Sequence, residues 1–182
     1  MQRWRVPLGF VFAAIFLLLA RPRPLTLALG GVIAIGGLLM RAWAAGHIRK
    51  NAALAVSGPY AHTRNPLYLG SFVLGLGFTV AAAGGWVQFA LFGGAFAVLF
   101  LGIYLPVMRV EAETLTQLFG VAYARYAAAV PLLFPRLTPF RADGSEAMRF
   151  DKNLYLRYRE YRAALGLLCA WCVLAFKALW LS

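Results

Sequence analysis

Acidic residues are scarce. Six Asp and Glu stand against 18 Lys and Arg, a net charge of +12 over 182 residues, and the first carboxylate side chain is Glu111. Histidine is limited to His47 and His62, and cysteine to Cys169 and Cys172. Each scarcity excludes a chemistry. Two histidines, neither placed with a serine and an acid, do not support a Ser-His-Asp hydrolase. The cysteines form one C-x-x-C with no second pair and no nearby histidine, so no metal site is expected, and they read as small apolar filler. There is no P-loop and no G-x-G-x-x-G; "GLGF" at 75–78 lies inside an apolar run.

What the chain does have is apolar surface. Hydrophobic residues make up 62%, against about 45–50% in a typical soluble domain. The basic residues flank apolar runs instead of lining one polar face, which favours membrane lipids over nucleic acid as partner. Five apolar segments stand out, at 6–20, 25–45, 67–83, 86–106 and 163–181, and a spanning helix needs about 20 such residues. The reading is an all-α, polytopic integral membrane protein with about five transmembrane helices. The first segment follows Arg3 and Arg5 and ends at Ala20, the form of a secretory signal. Leu18 is ill suited to the position before a cleavage site, and "RPRP" at 21–24 reads better as a turn between retained helices. The "GG" at 84–85 makes 67–106 a tight helical hairpin, with Gly75, Gly77, Gly93 and Gly94 expected to bring its arms together.

The Lys and Arg bias places the N-terminus, the 46–66 loop and the 107–162 region in the cytoplasm. All six acidic residues fall on that side too, so a cofactor pocket built from them would open at the cytoplasmic face. Residues 1–137 form the core, with an interfacial helix near 109–127 after the fourth span. Residues 138–182 hold a linker, a basic amphipathic segment and a C-terminal apolar helix. In that segment Tyr155, Tyr158 and Tyr161 recur at helical spacing, and Arg157, Arg159 and Arg162 suit anionic head groups.

Two polar stretches interrupt the apolar pattern. "GPYAHTRNPLYLG" at 58–70 combines a Gly58-Pro59 turn with Pro66 as the first residue of the next helix. The free N–H groups of that helix point toward Tyr60, His62, Arg64 and Asn65, a setting for an anion. A capped helix start with interfacial aromatics is the bland reading of the same residues. The second stretch, "EAETLTQLFGVAYARYAAAVPLLFP" at 111–135, places Glu111, Leu115, Leu118 and Ala122 at helical spacing, with Gly120 interrupting. A carboxylate beside a span needs a partner and is a site candidate, although pairing with Arg109 or Arg64 for structure alone would also satisfy it. Together the two stretches suit a ligand carrying both a cation and a carboxylate.

The first stretch resembles the G-P-Y-x-x-x-R-H-P-x-Y-x-G motif of the isoprenylcysteine carboxyl methyltransferases. The second resembles the E-E-x-x-L-x-x-x-F-G-x-x-Y-x-x-Y-x-x-x-V-P-x-x-x-P motif of the same family. Phospholipid methyltransferases and some sterol reductases share parts of it. The likeness covers residues 25–137, with Asn65 at the usual histidine position and Val107 at the place of the substrate-side arginine. It implies S-adenosylmethionine as cofactor and no metal. Leu54, Ala55, Tyr60, Arg64, Asn65, Pro66, Leu67, Tyr68 and Glu111 would bind the cofactor. Arg109 and Glu111 would be the catalytic pair.

The resemblance thus implies a membrane methyltransferase acting on a lipophilic or lipidated acceptor. Carboxyl O-methylation comes first, because a carboxylate acceptor needs no general base. A phospholipid or amine N-methyltransferase on the same fold is the alternative, and a non-enzymatic membrane binding or assembly protein belongs to another class. A nicotinamide-dependent reductase would call for more cations than Arg64 and Arg109.

Overall fold

The computed structural model describes residues 11, 14–49, 53–141 and 149–180. The signal-peptide reading, the Arg3 and Arg5 flank and most of the 138–150 linker lie outside the described residues. Those described are helical, with no strand among them. Residues 14–19 form a helical turn. Then come α1 (Pro24–Ala45), a 3-10 turn (Gly58–Ala61), α2 (Pro66–Ala82), α3 (Trp86–Ala129), α4 (Lys152–Arg157) and α5 (Tyr161–Trp180).

Three of these, α1, α3 and α5, are long and apolar enough to cross a membrane. They present large side chains outward, among them Leu25, Leu29, Val32, Val98, Leu165 and Leu168. Water would oppose that arrangement and lipid tails accept it, so the chain is a membrane protein. The expected five spans become three among the described residues. The third apolar segment folds as α2, whose 17 residues reach about 26 Å, short of a hydrocarbon core of about 30 Å.

The tightest pairing is α1 on α2. Gly30, Ala34 and Gly37 recur on one face of α1 and are buried. A Cβ on Gly37 would stand 2.6 Å from the Gly70 carbonyl, and one on Gly77 would stand 2.5 Å from the Ala34 nitrogen. The two backbones touch, and only glycine or alanine leaves room.

This corrects two of the four expected glycine contacts, since Gly75 meets Phe96 and a Cβ on Gly93 would stand 3.8 Å from the Thr79 hydroxyl across the hairpin. Gly77 serves α1 and not the hairpin, and Gly94 meets nothing within 4 Å. The α2–α3 hairpin exists, but aromatic rings fill it. Phe72 stacks on Phe96 at 5.6 Å, Phe100 lies 4.4 Å from Tyr104, and Tyr68 lies 5.3 Å from Tyr104. Gly75 is small because the Phe96 ring lies against it. Rings this wide hold the arms apart, so the close approach goes to α1 instead.

The break expected between a fourth span and an interfacial helix falls later in the chain. Helix α3 (Trp86–Ala129) continues through Pro106 and consists of two helical pieces that meet at a kink at Gly120. Proline removes one backbone bond, which the helix survives. Its one break in φ/ψ is Gly120, at φ 51° and ψ −124°, where the second motif turns back toward the first.

Polar contacts gather at the opposite end. Arg21 N–H donates to the Ala82 carbonyl at 2.8 Å. The Gln88 amide donates to Leu19 at 2.8 Å. Lys177 on α5 donates to the last carbonyls of the 14–19 turn, Leu17 at 2.7 Å and Leu18 at 3.0 Å. These bonds satisfy helix-end carbonyls that lipid could not.

Two neighbouring glycines separate packing from propensity. Gly36 has nothing within 4 Å of a built Cβ, whereas Gly37 meets the α2 backbone. We expect Gly37→Leu to lower thermal stability in detergent by more than 1–3 kcal/mol, the usual order for overpacking. Gly36→Leu should leave the melting temperature within a degree or two of wild type. Equal effects of both would mean that α1 and α2 do not meet at this face.

Candidate binding pocket at the helix ends

The first polar stretch is held in place by the tail of the second. Residues 61–65 lie against residues 130–136, immediately after α3. Arg64 N–H donates to Pro131 at 2.9 Å and Arg136 N–H to His62 at 2.9 Å. The Thr63 hydroxyl donates to Leu133 at 2.8 Å, and the Asn65 amide to Leu132 at 3.0 Å. The Tyr126 hydroxyl donates to the Tyr60 carbonyl at 2.7 Å. His62 Nδ1 lies 2.8 Å from the Arg136 carbonyl and His47 Nδ1 lies 2.9 Å from the Trp43 carbonyl. Both histidines are therefore tied to backbone. Gly58 takes φ +58°, and a Cβ there would meet the His47 ring at 2.6 Å, so glycine is required.

With the loop so fixed, Pro66 opens α2 as expected from the sequence. A cavity of about 370 Å³ lies beside that helix start. Its wall includes Leu54, Ala55, Tyr60, Arg64 and Asn65. Pro66, Leu67, Tyr68 and Glu111 continue it. Six of these nine residues lie in the first stretch, Glu111 lies in the second, and Leu54 and Ala55 stand just before the first; all line one space. Asn65 sits at the helix start without capping it; its amide serves the loop. Arg109 is exposed and is not among the lining residues. It stands two positions before Glu111 on α3, and residues two apart face different directions.

Sequence reasoning missed four charged or hydroxyl members of the wall besides its tyrosines, Arg41, Arg49, Ser71 and Glu160. Arg41 Nη2 binds both Glu160 oxygens, at 2.7 and 3.0 Å, and Nη1 contacts the Ser71 hydroxyl and the Leu67 carbonyl. Arg41 lies outside both polar stretches, and Glu160 fell in the basic amphipathic segment read as suiting anionic head groups. A signal was present: Glu160 is one of six acidic residues and adjoins an apolar run, where a carboxylate calls for a partner.

The wall is rich in phenols: Tyr60, Tyr68, Tyr104, Tyr123 and Tyr126. Arg64 Nη1 donates to the Tyr123 hydroxyl at 3.3 Å. The Tyr60 hydroxyl is held well above its usual pKa, first by burial, then by Tyr126, then by the Glu111 and Glu160 carboxylates. Among the described residues no three of His, Cys, Asp and Glu come together as metal ligands. Cys169 and Cys172 are exposed and free on α5.

Comparison with known proteins changes the functional reading. No family model matches the chain, and no solved structure matches it. The chain is 34% identical over 165 residues to the cobalt-zinc-cadmium resistance protein CzcN of Cupriavidus metallidurans, covering 83% of this chain and 72% of the relative. It is 31% identical over 119 residues to the nickel-cobalt-cadmium resistance protein NccN of Alcaligenes xylosoxydans xylosoxydans, covering 63% of this chain and 53% of that relative. It thus spans about half the length of NccN.

Both relatives are metal-resistance proteins by name, and neither is an isoprenylcysteine carboxyl methyltransferase. This corrects the family drawn from the two motifs, and with it the methyltransferase activity. The physical reason lies in the motifs themselves. Gly58 serves a left-handed turn, Pro66 starts a helix, Asn65 braces the loop, and Tyr126 holds the Tyr60 carbonyl. These positions meet the demands of a fold, and a fold does not specify a reaction.

Two measurements test this geometry. Tyr126→Phe leaves the Tyr60 carbonyl buried without its donor, and should lower stability by about 1–3 kcal/mol in thermal unfolding. The raised Tyr60 pKa means the folded protein resists ionisation there, so stability present below about pH 10 should fall as pH rises beyond it. Tyr60→Phe should flatten that alkaline fall; an unchanged profile would show that Tyr60 is not desolvated.

Proposed function

The chain belongs to the family of the CzcN metal-resistance protein, and from that premise we propose that it contributes to resistance to divalent transition-metal cations from within the membrane, through a small ligand bound in the pocket at the helix ends. The observation that carries the site is the cavity itself, which gathers both polar stretches and the Arg41–Glu160 pair into one space of about 370 Å³. That volume is on the scale of small-molecule sites, which run from about 300 to 1,000 Å³.

The donor set describes the ligand. Arg41, Arg49 and Arg64 oppose a bare divalent cation, and of the two carboxylates Glu160 is already engaged by Arg41. A ligand with an anionic group for the guanidinium side and a cationic group for Glu111 and the tyrosine faces suits the wall. S-adenosylmethionine, with a carboxylate and a sulfonium, is one solute of that kind. The surrounding apolar helices also leave a lipophilic ligand a route from the bilayer. Arg41, Arg49, Arg64, Arg109 and Arg125 lie toward the pocket end, and Arg21, Arg23 and Lys177 toward the other. That bias supports a cytoplasmic pocket.

The test is growth of a metal-sensitive bacterial host in graded cadmium, zinc and cobalt. Wild-type chain should raise the tolerated concentration. Glu111→Gln should abolish the gain while the protein still accumulates in the membrane at wild-type level. No gain from wild type would overturn the resistance role, and a fully active Glu111→Gln chain would overturn the pocket as its working part.

A further inference from the structure

Among the described residues, four buried side-chain polar atoms lack a hydrogen-bond partner: Arg41 Nε, Ser57 Oγ, Tyr60 Oη and Arg64 Nε. Three of the four belong to residues that line the cavity. Two are obligate donors, and the third is a phenol whose burial keeps it protonated. Leaving such a donor unmet inside a protein opposes folding, and native structures rarely tolerate it without a reason. Tyr60 is only 5% exposed, so water does not reach it freely. The three sit on separate parts of the chain, in α1, the 3-10 turn and the loop before α2.

The chain's own acceptor lies beside them. Glu160 reaches the cavity from the segment between α4 and α5 and grips Arg41 through Nη2 alone, leaving Nε unmet. The preceding residue, Arg159, holds φ at +55°, a left-handed backbone that a non-glycine residue adopts at some cost. Segment 150–160 otherwise docks on the end of α1 through the Asp151 N–H to the Gly46 carbonyl at 2.9 Å and the Phe150 ring against Gly46. The Glu160 carboxylate is thus carried into the pocket on a strained turn, at the place where a second anion would compete with it.

We infer that the ligand carries an oxyanion that binds Arg41 Nε, Arg64 Nε and Tyr60 Oη, and that Glu160 is the chain's internal competitor for Arg41. A tetrahedral group such as phosphate offers three terminal oxygens to the three donors, and either a phosphate-bearing solute or a lipid head group supplies that chemistry. The inference rests on the pocket being the ligand site. It adds which group of the ligand the pocket reads and which residue opposes it.

The experiment uses the full chain in a maltoside detergent, with inorganic phosphate and dioctanoyl phosphatidic acid as probes and calorimetry as readout. Wild type should bind at least one probe. Phosphate alone binding as well as the lipid identifies a solute site; phosphatidic acid binding far more tightly identifies a head-group site. Arg64→Gln and Tyr60→Phe should weaken binding about tenfold or more, the scale of a lost bond to a charged group.

Two further signs go beyond a structural role. Tyr60→Phe should melt higher than wild type in the absence of probe, because it removes an unmet donor, yet bind less. Glu160→Gln should bind more tightly, and Glu160→Asp, which keeps the charge, should bind like wild type. If neither probe binds folded wild-type protein, or if Arg64→Gln and Tyr60→Phe bind as well as wild type, the oxyanion site is overturned. Unchanged affinity in Glu160→Gln overturns the competitor role. Loss of metal tolerance in Glu111→Gln without any phosphate binding would leave the pocket standing and remove the oxyanion alone.

Discussion

Backbone contact between α1 and α2 is the constraint on which the rest depends. In lipid no hydrophobic force draws two apolar helices together, so close packing must supply the attraction. Gly30, Gly37, Gly70 and Gly77 allow it, because side chains at these places would strike the facing backbone. The contact places Arg41, one turn past Gly37 on α1, beside Leu67 and Ser71 on α2. Without it the cavity would lose one wall and Glu160 would lose its partner. The polar site is thus set by a run of residues that carry no polarity at all.

A second lock acts on the loop. Residues 61–65 are irregular, yet their backbone groups pair with the segment after α3. The break at Gly120 turns the end of α3, and Tyr123, Tyr126 and Val130 form a small buried cluster with Leu54, Val56 and Phe140 packed around it. Residues 59 to 74 apart in the chain thereby become one structural unit. Loop polar groups that would be intolerable against lipid are paired within the protein.

That unit explains how a motif can mislead about chemistry. Its turn glycine, helix-starting proline, loop amide and tyrosine hydroxyl each serve the fold at a definable place. The same residue types would be required wherever this loop meets this helix, whatever the bound molecule. Sequence likeness to the CzcN resistance protein extends over 165 residues, well beyond the two stretches, and so weighs more than the motifs do. Arg41 and Glu160, the ion pair of this pocket, lie outside both motifs.

The sequence by itself determined the solvent, the helical class and the start of α2 at Pro66. Composition, proline position and local spacing are properties of neighbouring residues, so they can be read along the chain. It did not determine which glycines meet which helix, that α3 continues through Pro106, or that Glu160 enters the pocket. Nor did it tell that Arg41 lines the cavity and Arg109 does not. Those are decided by contacts between residues as far apart as 41 and 160. Such a contact depends on where whole helices pack, and no local pattern carries that information.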